Sequence, residues 1–107
     1  MKNDFSDRQL KRWYREFNRK WWADELPHDV DLLYAPMRET VAELDHDQAG
    51  TPVIRIDPLF SICPRMVCLA LLHEMAHIRL RPLRGHGATF QAEMQRLAQA
   101  GAMKGLW

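Results

Sequence analysis

Met66-Val67-Cys68-Leu69-Ala70-Leu71-Leu72-His73-Glu74-Met75-Ala76-His77-Ile78-Arg79-Leu80 is the stretch on which the fold turns. It holds no glycine or proline. Pro64 stands just upstream, where a first helical turn has no use for the missing N–H. Arg81-Pro82 closes the run, because the residue before a proline resists helical angles. The first two turns are apolar nearly all round, which predicts a central, buried helix. Inside it sit two imidazoles and a carboxylate, and each would carry a desolvation cost if the three had no shared task.

Those residues form the pattern H-E-x-x-H, His73-Glu74-Met75-Ala76-His77. Residues four apart on a helix project from one face, about 6 Å apart along the axis, so two ring nitrogens can converge on one Zn²⁺. Glu74 lies one position further round. It is expected to act as a general base toward water activated by the metal rather than as a ligand. A catalytic zinc keeps three protein ligands and one open position. The preferred third ligand is His86, in a loop entering the next helix, with Gly85 and Gly87 expected to let the backbone turn its ring toward the metal. Glu93 is the alternative, although its mid-helix place reads as a solvated face.

Upstream, Ser6-Asp7-Arg8-Gln9 fits a capping box, with Phe5 and Leu10 as a hydrophobic staple. Leu10, Trp13, Tyr14, Phe17 and Trp21 then recur at helical spacing and must pack against something. The helix is expected to stop near Trp22 or Ala23, before Glu25-Leu26-Pro27. Between Pro27 and Pro58, short runs rich in β-branched residues predict strands over Val30–Tyr34, Met37–Leu44 and Pro52–Asp57. The last two are joined by the polar turn Asp45-His46-Asp47-Gln48-Ala49-Gly50. Because the links are short, an antiparallel meander is expected, since parallel strands need long crossovers. Phe90, Met94 and Leu97 mark a third helix, with Gly101 as terminator. The fold class is therefore α+β: an N-terminal helix, a three-stranded antiparallel sheet, the H-E-x-x-H helix and a C-terminal helix.

The 107 residues, 47% of them apolar, suit one domain spanning 1–107, and no repeat or linker marks a second. Cys63 and Cys68 are too few for a disulfide scaffold or a closed structural zinc site and read as reduced thiols. The longest apolar run, Met66 to Leu72, is far short of the roughly 20 residues that cross a bilayer, and no signal segment follows Met1. A cytoplasmic monomer without membrane contact is expected. His28 and His46 sit in acidic loops as solvated residues, and Tyr34 has no spacing that ties it to the metal.

Charge is distributed unevenly. Residues 1–20 balance at +4 and residues 24–57 at −7, although the whole chain is only +1. Arg8, Arg12, Arg15 and Arg19 fall on nearly the opposite side of the first helix from its apolar stripe. With Lys11 and Trp22 beside them they are candidates for gripping phosphates and stacking a base. Arg79, Arg81 and Arg84 form a second basic cluster between the second and third ligands, expected to border the cleft and meet DNA or acidic substrate side chains.

His73-Glu74-Met75-Ala76-His77 followed by His86-Gly87-x-x-Phe90 resembles the SprT/Spartan group of zincin metallopeptidases, which pair H-E-x-x-H with a later H-G-x-x-F. Trp13-Tyr14-Arg15-Glu16-Phe17-Asn18 leading to Leu26-Pro27 is similar to that family's opening helix and "F-N … L-P" signature. Val53-Ile54-Arg55-Ile56 is similar to the strand before its metal helix, and the likeness runs over residues 13–101. The resemblance implies a zincin-like fold and a zinc endopeptidase acting on proteins bound or crosslinked to DNA, with a sheet edge that aligns the substrate backbone. By position, Val53–Ile56 is expected nearest the metal. Many members add a C-terminal zinc ribbon, for which this sequence offers no cysteine pairs. Two other functions are compatible with the same residues: a non-catalytic zinc-containing DNA-binding or regulatory module, and a metal-dependent hydrolase of another bond.

Overall fold

The computed structural model describes residues 4–81 and 86–106, with side chains from Asp7 onward. Helix α1 (Asp4–Trp22) is followed by strands β1 (Asp31–Tyr34), β2 (Ala42–His46) and β3 (Pro52–Ile56). A 3-10 turn (Pro58–Ile62) leads into helix α2 (Pro64–Arg79), and α3 (Ala88–Ala100) closes the chain. The class is α+β, as expected. Among the described residues no helix is long and apolar enough to cross a membrane.

Helix α1 begins at Asp4, so Ser6 lies within it and not at its cap. The side chains of Phe5 and Ser6 lie outside the described residues. At the other end the N–H of Asp24 donates to the carbonyl of Asn18, six residues back, at 2.9 Å, and the helix stops at Trp22. Ala23 and Asp24 take positive φ, 51° and 66°, to make that turn. The stripe that α1 buries is Leu10, Tyr14, Asn18 and Trp22, rotated from the expected one, with Trp13, Phe17 and Trp21 only half-buried. Buried Asn18 brackets the following loop: its Nδ2 donates to the carbonyl of Leu26 at 3.1 Å, and Leu26 N–H donates back to its Oδ1 at 3.0 Å. Tyr14 adds a hydroxyl donation to the carbonyl of Pro27 at 2.6 Å. The "F-N … L-P" spacing thus has a local cause.

The sheet order is β1-β3-β2, and it is mixed. β1 pairs with β3 in parallel, from Asp31 opposite Val53 to Tyr34 opposite Ile56. β2 pairs with β3 antiparallel, from Ala42 opposite Ile56 to His46 opposite Pro52. This corrects the expected antiparallel meander. A parallel connection needs a dozen or more residues, and residues 35–51 supply them because β2 itself belongs to the crossover. The second strand also starts later than expected. Met37 N–H donates to Asp57 Oδ2 at 3.2 Å, which ties residue 37 into a loop rather than a ladder. Asp57 accepts from Leu59 N–H at 2.9 Å through its other oxygen and so starts the 3-10 turn.

Two cross-strand rows, Leu32–Ile54–Leu44 and Tyr34–Ile56–Ala42, contribute to the core or pack against it. On α2, Val67, Leu71, Leu72 and Met75 are fully buried, which agrees with a central helix. Alternate residues face away, where Arg55 holds Glu43 at 2.8 Å and Asp45 at 3.4 Å. Gly101 ends α3 at φ 97°, a left-handed cap that favours glycine.

Candidate metal centre

His73 and His77 project from the same face of α2, and His86 comes from the segment that enters α3. Their ligand atoms all lie within 4.8 Å of one another, close enough to hold a metal ion. His73 Nε2 and His86 Nε2 are 3.1 Å apart, and His77 Nε2 and His86 Nε2 are 3.3 Å apart. Zinc held tetrahedrally at about 2.0–2.1 Å from each nitrogen requires nitrogens about 3.3–3.4 Å apart. The donor set therefore suits a small divalent ion.

Phe90 holds the three rings in this arrangement. It is buried in the first turn of α3, stacked on His77 at 4.4 Å between centroids, with His73 and His86 each 4.9 Å away in edge contacts. Gln91 Nε2 donates to the carbonyl of His86 at 3.3 Å and steadies the segment from the next position. The sequence marks Phe90 as part of an apolar stripe, but its contact with all three rings depends on how α3 crosses α2. Gly87 caps α3 at φ −73°, a conformation open to any residue, and a Cβ there would meet nothing within 4 Å. The expectation that Gly87 is needed to turn the ring of His86 is thereby corrected. Gly85 lies outside the described residues.

Glu93 stands outside the imidazole cluster. Its carboxylate accepts from Trp22 Nε1 at 2.7 Å and from Arg96 Nε and Nη2 at 3.1 and 3.0 Å. Its pKa is held below the usual carboxylate value, chiefly by Arg96. The solvated-face reading of Glu93 is corrected as well, since only 12% of its side chain is exposed.

Glu74 is 7% exposed. Burial, with a smaller push from Glu43, raises its carboxyl to about 7. Burial lowers His73 to about 4, with the neighbouring His77 and His86 adding to the effect, and His77 is lowered by burial and by His86. At neutral pH His73 and His77 thus present unprotonated lone pairs beside a carboxyl poised to hold or release a proton. Such a set can bind a cation and exchange a proton with a neighbouring molecule.

A groove of ≈ 310 Å³ runs along the site, with Val41 and Ala42 on one side, Met66, Leu69 and Ala70 on the other, and His73 and Glu74 within it. The strand that borders it is β2, at the sheet edge. The expectation that Val53–Ile56 lies nearest the metal is corrected, because β3 occupies the middle of the sheet. Tyr34 lies on β1 at the far edge, where its N–H donates to Asp7 Oδ1 at 3.1 Å. Cys68 is buried, and that burial pushes its thiol up to about 11.

Arg8, Lys11, Arg12, Arg15 and Arg19 are all exposed along α1. Trp22 is not available beside them for stacking, because it is 4% exposed and bonded to Glu93. Arg79 is exposed with its Nη2 4.0 Å from Glu25, Arg81 is exposed, and Arg84 lies outside the described residues. A comparison with known protein families, curated proteins and solved structures finds no match.

Proposed function

We propose that this chain is a zinc-dependent endopeptidase in which His73, His77 and His86 hold the ion and Glu74 serves as general base. The observation that carries this reading is the convergence of three imidazole nitrogens at 3.1 and 3.3 Å next to a buried carboxyl at the rim of an open groove. Zinc bound there would supply a water of pKa near 7 and a Lewis acid for a carbonyl. Glu74 would take the proton from the attacking water and return it to the leaving amine, a task suited to a carboxyl whose pKa lies near neutrality. A purely structural zinc site would gain nothing from a carboxylate buried at that position. The open edge of β2 gives an extended substrate backbone a strand to pair with. The exposed arginines of α1 favour proteins associated with or crosslinked to DNA as substrates. The likeness to the SprT/Spartan group supports the same reading.

The test compares wild type with Glu74→Gln for zinc content, for self-cleavage and for cleavage of a DNA-bound protein. Retained zinc with lost cleavage in the variant is the expected result. Normal cleavage by Glu74→Gln rejects the base. A wild-type protein that binds zinc and DNA yet cleaves nothing turns the reading to the non-catalytic module.

A further inference from the structure

Helix α3 carries the segment that delivers the third ligand, and what aligns α3 lies away from the imidazoles. Phe90 and Leu97 are buried and hold the helix on the core, but apolar contact is not directional and leaves the rotation of the helix loosely set. Among the described residues a single hydrogen bond joins α3 to another helix or strand: Trp22 Nε1, at the end of α1, donates to Glu93 Oε2 at 2.7 Å. Both partners are shielded from water. Arg96 closes the set. Its Nε donates to Glu93 Oε1 at 3.1 Å and its Nη2 to Oε2 at 3.0 Å, while its guanidinium lies 5.9 Å over the Trp22 ring. The carboxylate thus takes three charge-assisted bonds from two helices, and its direction is fixed.

From Glu93 the alignment reaches the metal centre in short steps. Phe90 sits three residues before Glu93, one turn back on the same side of α3, and touches all three imidazoles. His86 rides on the same helix: its carbonyl takes Gln91 Nε2, and the carbonyl of Gly87 takes the N–H of Gln91 at 2.9 Å. Turning α3 by about 10° moves a group roughly 5 Å from its axis by about 0.9 Å. Metal–ligand distances tolerate only about 0.2 Å. We propose that Glu93 is a positioning residue for the metal centre: clamped by Trp22 and Arg96, it fixes the rotation of α3 and so the place of His86 relative to His73 and His77. The inference rests on the zinc site of the proposed peptidase and needs no hydrolysis to be tested. It gives Glu93 a part in metal binding without making it a ligand.

The test measures zinc affinity of the full chain by chelator competition in wild type, Trp22→Phe, Glu93→Leu and the double variant, at a temperature where circular dichroism shows each metal-free protein folded. Under that condition a loss of global stability does not by itself move the affinity, because the competent form is already the populated one. Trp22→Phe removes the N–H and leaves the Glu93 carboxylate in place. It should weaken zinc binding about fivefold, less than the tenfold or more that follows loss of a group touching the ligands. Glu93→Leu should cost at least as much, and the double variant little more than the larger single loss, since both changes break one clamp. Glu93→Gln keeps an acceptor oxygen for Trp22 and should recover most of what Glu93→Leu loses. The visible spectrum of Co²⁺-loaded Trp22→Phe should differ from that of wild type, because a displaced third ligand changes the coordination geometry. If Trp22→Phe does not fold, Arg96→Met, at a half-exposed position, breaks the other arm of the clamp and should lower zinc affinity in the same direction. Unchanged zinc affinity in a folded Trp22→Phe or, failing that, Arg96→Met overturns the inference, as do losses that simply add in the double variant. Zinc lost in Glu93→Leu but fully kept in Trp22→Phe also overturns it, and makes Glu93 a ligand. Wild type that binds zinc but cleaves nothing, with affinity still lowered in the variants, sinks the peptidase reading alone. Wild type that takes up no zinc removes both.

Discussion

At the scale of single residues, the site joins groups whose burial pushes them toward their neutral forms. The folded chain holds the Glu74 carboxyl at about 7 against an ordinary 4.5, so it favours the protonated form. The contribution of Glu74 to stability is therefore full below pH 4.5 and is lost as pH rises through 7. His73 has the opposite sign: lowered to about 4 from 6.5, its contribution is whole above pH 6.5 and is lost as pH falls through 4. Metal-free Glu74→Gln should thus resist urea better than metal-free wild type at pH 8, by on the order of 1–3 kcal/mol, and show no such advantage at pH 4. Equal midpoints at pH 8 would mean that the carboxylate is not buried at a cost. Phe90 permits a second test, because all three imidazoles lean on its ring. Phe90→Leu keeps much of the apolar volume and removes the flat surface. Zinc affinity in a chelator competition should drop by about tenfold or more, as for other groups that orient ligands, while the fold loses about 1–2 kcal/mol. Unchanged affinity in the folded variant would assign Phe90 to the core alone. The spacing of His73, Glu74 and His77 is legible from the sequence because an α-helix fixes it, whereas the contacts of Phe90 with His73 and His77 are made across two helices and no local spacing encodes them.

Among the elements, α2 was the most legible, since an apolar run without breakers has few other places to lie than a core. The ends of α3 and α1 were legible from Gly101 and from the Leu26-Pro27 pair. The sheet was legible in content and not in order. Each link between strands is short, but pairing is decided by the whole path from β1 to β3, and that path contains a strand of its own. The buried stripe of α1 lies one row from the expected one, because Asn18 does not look like a core residue. It is buried because its amide replaces water for both polar groups of Leu26, which a proline-capped loop cannot pair by itself. Asn18→Ala would strand those two groups, so a loss on the order of 2–4 kcal/mol in a denaturant melt is expected. A loss below about 0.5 kcal/mol would show that the loop finds its partners elsewhere.

For the molecule as a whole, the near-zero net charge hides two opposed fields. The acidic excess falls on residues 24–57, which include the sheet, and there Arg55 already answers Glu43 and Asp45. The basic excess lies along the exposed side of α1, which carries Arg8, Lys11, Arg12, Arg15 and Arg19. Arg79 is less suited to phosphate, since Glu25 stands 4.0 Å from it, although an exposed pair of that length is worth little. If α1 grips a nucleic-acid backbone, the affinity comes from counterion release and must weaken steeply with salt. Because Trp22 is buried, contacts with phosphate rather than base stacking beside the arginines should dominate, and binding should depend little on sequence. Replacing Arg12 and Arg15 together by Glu reverses two charges on an exposed face without touching the core. The slope of log affinity against log salt should then shrink by about two, with zinc content and thermal stability unchanged. DNA affinity that is the same in the double variant, or that never responds to salt in wild type, would remove α1 from the interface and with it the reason to expect DNA-associated substrates.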